Sequence, residues 1–407
     1  MSRDRDGRHS RRFVLKTGAG GALGGLLAAS GNVAGEESRN LKRNVYESLG
    51  IKPFINAAGT ITTLGGSLMP PEVVEAWGAA SQSFVDLVDL QEKIGEKIAS
   101  LLNVEAALVT TGAAGGIAVG TAAAVTYRDH SLIGRLPLSG ESAPEVIIET
   151  AHRSCYDQQM SLSGVKFVEV NSREGLEKAI NSRTAMMMSY NYREPKGKLR
   201  HREWLEVARA RKVPTLLDAA ADTPPVKRLW EYNHMGYDMV AFSGGKAIRG
   251  PQGAGLLLGR KDLITAARMN TSPQCKVGRG MKVSKEDMVA MWAAVERFVS
   301  LDHEAERREW ERRISVIEDA VKSIPTVTTE RVVPRIANKV PHLIVEWDEQ
   351  KLKLSHAQAT AALRDGEPSI RLARVGDTGD RGILISVFVL EPGEEKIVAR
   401  RLSEVLG

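Results

Sequence analysis

Tyr237-Asp238-Met239-Val240-Ala241-Phe242-Ser243-Gly244-Gly245-Lys246 reads as a short buried strand running into a turn of small residues that presents one lysine. The segment Ala247-Ile248-Arg249-Gly250-Pro251-Gln252-Gly253-Ala254-Gly255 follows, and then a second apolar run, Leu256-Leu257-Leu258. Upstream, Thr215-Leu216-Leu217 is another such run, and it closes on Asp218. Short runs that are apolar without alternation fit strands covered on both faces. An acid at one strand end and a lysine just past another is what a pyridoxal 5'-phosphate site needs. The lysine amine forms the Schiff base, and the acid keeps the pyridine nitrogen protonated so that the ring accepts electrons.

Ala107-Leu108-Val109-Thr110, Val146-Ile147-Ile148-Glu149, Lys166-Phe167-Val168-Glu169-Val170 and Ala185-Met186-Met187-Met188 read as further strands. Helical periodicity separates them, notably over 88–102 and 202–211. Strands alternating with helices at this pitch predict an α/β fold with a large, doubly wound, mostly parallel sheet. Residues 285–323 read as one long helical segment linking domains. The last 80 or so residues read strand (343–347), helix (357–364), two strands (370–375 and 382–390) and helix (394–406), a small α+β domain. The expected organisation is a leader at 1–35, an N-terminal arm at 36–75, a large cofactor domain at 76–300 and a small C-terminal domain at 301–407.

Between a strand and an alanine-rich helix lies Thr111-Gly112-Ala113-Ala114-Gly115-Gly116. Small residues there let backbone N–H groups approach an anion at a helix N-terminus, which suits a cofactor phosphate; the same composition also serves tight packing. Thr111 and Ser243 are candidate hydroxyl donors to that phosphate. His152 follows a strand end and is placed to lie flat on the pyridine ring, or else to pack locally at a helix start. Asp218 ends an apolar strand, and a buried carboxylate needs a cationic or donor partner. A protonated ring nitrogen supplies one. Asp222 is available as a helix cap ahead of Pro224.

Of the chain's formal charge of +6, a net +4 sits in residues 1–16, where six cationic side chains face Asp4 and Asp6. The remaining body is near neutral, so charge gives no case for nucleic-acid binding. Ser10-Arg11-Arg12-Phe13-Val14-Leu15-Lys16, a Gly-rich apolar run and the small residues near Ser30 and Ala34 read as a twin-arginine export signal, which implies the export machinery as a partner and a periplasmic or otherwise exported destination, anchored if the signal stays uncleaved. Cys155 and Cys275 have no spacing that suggests a disulfide framework or a metal site.

Asp218-Ala219-Ala220-Ala221, Ser243-Gly244-Gly245-Lys246 and Arg249-Gly250-Pro251-Gln252 resemble the pyridoxal phosphate enzymes related to bacterial selenocysteine synthase, in particular the branch of D-glucosaminate-6-phosphate ammonia-lyase. The segments 55–60, His152-Arg153 with Tyr156-Asp157, and Gly278-Arg279 with Met281-Lys282-Val283 carry the same resemblance, which spans roughly residues 44–405. It implies the aspartate-aminotransferase-like fold type I, a homodimer or higher oligomer, Lys246 as the Schiff-base lysine, Asp218 at the ring nitrogen and His152 on the ring. It also implies Gly112, Ala113 and Ser243 at the phosphate. Arg279 and Lys282 would reach an anionic substrate group, and Arg371 a substrate carboxylate. Selenium transfer to tRNA is not expected, because a leader stands where the bacterial tRNA-binding enzyme has an extra domain.

The expected activity is α-proton removal from an amino acid or amino-sugar acid, most of all β-elimination releasing ammonia. Transamination and racemisation share the first half of that chemistry, and a cofactor-binding relic without activity is the non-enzyme alternative. Export would make a cytoplasmic phosphorylated sugar acid an awkward substrate.

Overall fold

The structure, a computed structural model, describes residues 45–337, 339–373 and 381–407. The chain divides into two units, Met1–Phe54 and Ile55–Gly407. The described part of the first holds a one-turn helix, Val45–Ser48. The export signal expected at 1–35 lies outside the described residues.

The second unit opens with β1 (Ile55–Ala57) and then builds a seven-stranded sheet from β2 (Ala106–Thr110), β3 (Glu145–Glu149), β4 (Lys166–Val170), β5 (Thr184–Tyr190), β6 (Thr215–Asp218), β7 (Met239–Ser243) and β8 (Gly255–Gly259). Their order is β2-β8-β7-β6-β5-β3-β4. β7, β6, β5, β3 and β4 pair in parallel, and β8 runs antiparallel to both β7 and β2. The sheet is therefore mostly parallel, as the apolar runs predict.

Both faces of the sheet are covered, because side chains alternate across a strand. Leu217, Val240 and Phe242 face one core with the helices Leu87–Leu102, His201–Arg211 and Lys285–Ser300. Leu216, Met239 and Ala241 face another with Gly112–Thr126 and Lys261–Asn270. Burial of both alternating sets is why these strands carry no polar–apolar alternation.

Residues 285–323 are two helices rather than one. Lys285–Ser300 ends at Leu301, and Asp302 starts His303–Val321 by accepting from the N–H groups of Glu304 (3.1 Å) and Ala305 (2.9 Å). The first helix buries Met291, Val295 and Phe298 in the large core; the second buries Ile314, Ile317 and Val321 in a third core with Leu343, Ile385 and Leu402.

That third core carries two small sheets. β9 (Thr328–Val332), β10 (His342–Glu346) and β12 (Ile383–Ser386) are antiparallel in the order β12-β10-β9. β11 (Ile370–Leu372) pairs in parallel with β1, so Ile55 and Ala57 belong to the C-terminal core although they lie within the expected N-terminal arm. β9 is a strand that patterning does not reveal: Thr-Thr-Glu-Arg-Val is polar and largely exposed at a sheet edge. The expected strand at 370–375 is described as far as Leu372, and residues 374–375 lie outside the described residues. Among the described residues, no helix is long and apolar enough to cross a membrane.

Candidate active site

The C-terminal ends of β2, β6 and β7 lie along one edge of the sheet, the edge where open α/β sheets take their ligands. A cavity of about 530 Å³ opens there, and Lys246, Asp218, Ser243, Gly112 and Ala113 all line it. Five of the predicted site residues thus meet, although up to 134 positions of sequence separate them.

Local packing presents Lys246. After β7 the chain turns through Gly244 and Gly245, and Gly250 N–H donates back to the Gly244 carbonyl at 2.9 Å. The loop at 59–67 covers this turn: Ser67 Oγ donates to the Lys246 carbonyl at 2.8 Å. A Cβ at Gly66, whose φ is +72°, would fall 2.5 Å from the Gly245 oxygen. Gly112, at φ +64°, begins the helix Gly112–Thr126, whose first turn aims backbone N–H groups at the cavity.

Asp218 is 5% exposed and takes one backbone hydrogen bond, from Ala220 N–H at 2.9 Å. Burial pushes its carboxyl up to about 6, against the pull of that N–H and of the Lys246 ammonium. Burial likewise lowers the Lys246 amine, while Asp218 and Asp222 hold it up. Among the described residues Asp218 has no arginine or lysine at ion-pair distance. These side chains fit pyridoxal phosphate: a nucleophilic amine, a buried carboxylate in want of a positive donor, and a helix N-terminus for a phosphate share one hollow.

The other predicted residues do not line the cavity. His152 is buried in the turn Thr150–His152 after β3; its Nδ1 accepts from Tyr190 N–H at 3.4 Å, and its Nε2 lies 3.8 Å from Glu149 Oε2. There the imidazole meets the ends of β3 and β5, and burial lowers its pKa to about 4. The Thr111 hydroxyl donates to the Met281 carbonyl at 2.7 Å, an alternative engagement to a phosphate. Arg279 and Lys282 are exposed in the segment that bond ties down. Arg371 lies on β11 opposite Asn56.

The cavity also has walls that sequence reasoning missed. Tyr156 and Tyr192 line it, with Tyr190 between them at ring distances of 6.5 and 6.0 Å. Tyr156 stands four residues after His152. Thr62 and Gln252 close another side, Gln252 Nε2 donating to the Thr62 carbonyl at 2.8 Å. Asp222 lines the cavity too. It is no helix cap: its Oδ2 accepts from Asn191 Nδ2 and from Tyr232 Oη at 2.8 Å. The Asp-x-x-x-Asp spacing was the visible signal for this second acid.

Residues 54–340 match the family described as SelA: L-seryl-tRNA selenium transferase. The chain is 30% identical over 378 residues to a D-glucosaminate-6-phosphate ammonia lyase of Salmonella typhimurium (strain 14028s / SGSC 2262), covering 89% of this chain and 98% of that one. A solved structure of D-glucosaminate-6-phosphate ammonia-lyase superposes with a TM-score of 0.77 at 29% identity, covering 89% of this chain and 98% of the other. A 5'-C-glycyluridine monooxygenase-decarboxylase of Streptomyces sp is 28% identical, covering 89% of this chain and 92% of the relative. A lysine-to-alanine variant of a serine palmitoyltransferase from S. paucimobilis with a bound PLP–myriocin aldimine shares the fold at 13% identity, with a TM-score of 0.55 over 87% of this chain and 88% of that one.

Proposed function

Because the chain belongs to the L-seryl-tRNA selenium transferase family, whose fold here is that of the fold type I pyridoxal phosphate enzymes, we propose that it is a lyase that removes the α-proton of a 2-amino acid and expels a β-substituent, releasing ammonia. Its cofactor is pyridoxal 5'-phosphate. The observation that carries this reading is the meeting of Lys246 and Asp218 on one cavity at a helix N-terminus. The ammonia-lyase relative favours an amino-sugar acid among possible substrates and elimination over transamination or racemisation.

When bound, pyridoxal phosphate supplies an electron sink for the carbon that loses its proton. Lys246 would hold it through the ε-amine, Asp218 would keep a proton on its ring nitrogen, and Ser243 with the first-turn amides at Gly112 and Ala113 would hold its phosphate. Burial favours the neutral amine of Lys246, the form that accepts an α-proton. Tyr156 and Tyr192 line the same cavity.

Ser10-Arg11-Arg12-Phe13-Val14-Leu15-Lys16 supports export by the twin-arginine route. An apolar stretch with Val74, Trp77, Phe84, Val85 and Val88 exposed supports a homodimer, in which Arg279 and Lys282 would serve the neighbouring site. The experiment is to purify the chain with its cofactor and screen D- and L-amino acids and amino-sugar acids for ammonia and keto acid. Keto acid with stoichiometric ammonia supports the lyase. Amino-group transfer without ammonia, or inversion at the α-carbon alone, contradicts it.

A further inference from the structure

Asp222 is the second buried acid of the cavity, at 4% exposure, and its surroundings differ from those of Asp218. Donors converge on one of its oxygens. Asn191 Nδ2 reaches Oδ2 at 2.5 Å and Tyr232 Oη reaches it at 2.8 Å. The Asn191 amide is itself oriented. Its Oδ1 lies 2.9 Å from His201 Nε2, and His201 Nδ1 lies 2.7 Å from Tyr237 Oη. With the His201 proton on Nε2, that ring donates to Asn191 Oδ1 and accepts from Tyr237, which leaves the Asn191 NH₂ to face Asp222. Among the described residues the other oxygen, Oδ1, takes no hydrogen bond, and Asp222 lines the cavity, so Oδ1 is left for whatever enters it.

From this geometry, and resting on the elimination reading above, we propose that Asp222 is the general acid that protonates a departing β-hydroxyl of the substrate. The step balances. The α-proton goes to Lys246, the pair of the Cα–H bond becomes the Cα–Cβ double bond, and the Cβ–O bond breaks with its pair on oxygen. Asp222 Oδ1 then supplies the proton that turns the leaving hydroxide into water. The carboxylate left behind is the form that Asn191 and Tyr232 stabilise, since both donate to it. The same burial that raises the Asp222 carboxyl favours its protonated form before the step. Asn191, Tyr232 and His201 act through Asp222 as positioning residues.

Leaving groups separate this role from a structural one. Hydroxide needs a proton to leave and chloride does not. The purified, cofactor-loaded protein and its Asp222→Asn variant are compared on D- and L-serine and D-glucosaminate, and on D- and L-β-chloroalanine. Cofactor absorbance and α-proton exchange in D₂O are read alongside ammonia. The expected result is that Asp222→Asn loses ammonia release from the hydroxy compounds by about 100-fold or more, while exchange and chloride elimination persist. Tyr232→Phe, which keeps the ring, lowers the same step by roughly tenfold. Hydroxide elimination by Asp222→Asn within threefold of the native rate overturns the proposal, as does equal loss of chloride elimination. Native protein that releases no ammonia from either set overturns the lyase reading itself, and the acid role with it.

Discussion

The Ser67 hydroxyl donates to the main-chain carbonyl of Lys246 at 2.8 Å, across 179 positions of sequence. With Gly66 pressed against the Gly245 oxygen, it makes the 59–67 loop a clamp on the lysine turn. Replacing Ser67 by alanine removes a hydrogen bond worth about 1 kcal/mol. The expected outcome is a small loss of stability with a larger rise in cofactor dissociation, read by dialysis against buffer and residual absorbance. Unchanged retention contradicts the clamp.

His152 gives the protein an acid-labile element. Its folded pKa of about 4 lies below the ordinary 6.5. The unfolded chain therefore binds more protons between these values, and stability rises with pH across that window. Through this group alone, native protein should lose up to about 3 kcal/mol between pH 7.5 and pH 4. His152→Gln should show a flatter profile in urea denaturation at pH 4.5, 6 and 7.5. Parallel profiles would refute a buried neutral imidazole.

Asp218 slopes the other way. In cofactor-free protein its carboxyl stands at about 6 against an ordinary 3.8, so its contribution is complete below pH 4 and is lost as pH rises through 6. Asp218→Asn should then be the more stable protein at neutral pH without cofactor, by a few kcal/mol at most, at about 1.4 kcal/mol per unit. It should also release ammonia about 100-fold more slowly when loaded, because an amide cannot keep a proton on the ring nitrogen. A variant as active as the native protein would displace Asp218 from that role.

Much of this was legible in the sequence for a definite reason. The inner strands of the large sheet are buried on both faces, whereas β4 at its edge is not, and continuous apolar runs such as Leu216-Leu217 and Leu256-Leu257-Leu258 announce that burial. Lys246 is legible because small residues before a lone lysine are a local signal. Tyr192, Asn191 and Asp222 are less so. They come from the loops after β5 and β6, and only the pairing of those two strands makes them neighbours. His152 meets the Tyr190 amide, 38 positions away, a contact that chain position alone does not reveal. β9 escaped because its exposed polar edge lacks an apolar face.

Phe84 is fully exposed beside Val85, and Trp77 and Val88 are also open to solvent. If this stretch is a subunit contact, Phe84→Glu should shift a dimer towards monomer in light scattering and lower ammonia release with it, because Arg279 and Lys282 would no longer serve a neighbouring site. A dimer unaffected in size and activity places the interface elsewhere.

Borohydride reduction of the purified protein, followed by peptide mass mapping, asks whether Lys246 carries the cofactor. The expected result is the reduced cofactor covalently fixed on the peptide that contains Lys246, and no such adduct in Lys246→Ala. Attachment to another lysine, or a colourless protein with no adduct, would contradict it.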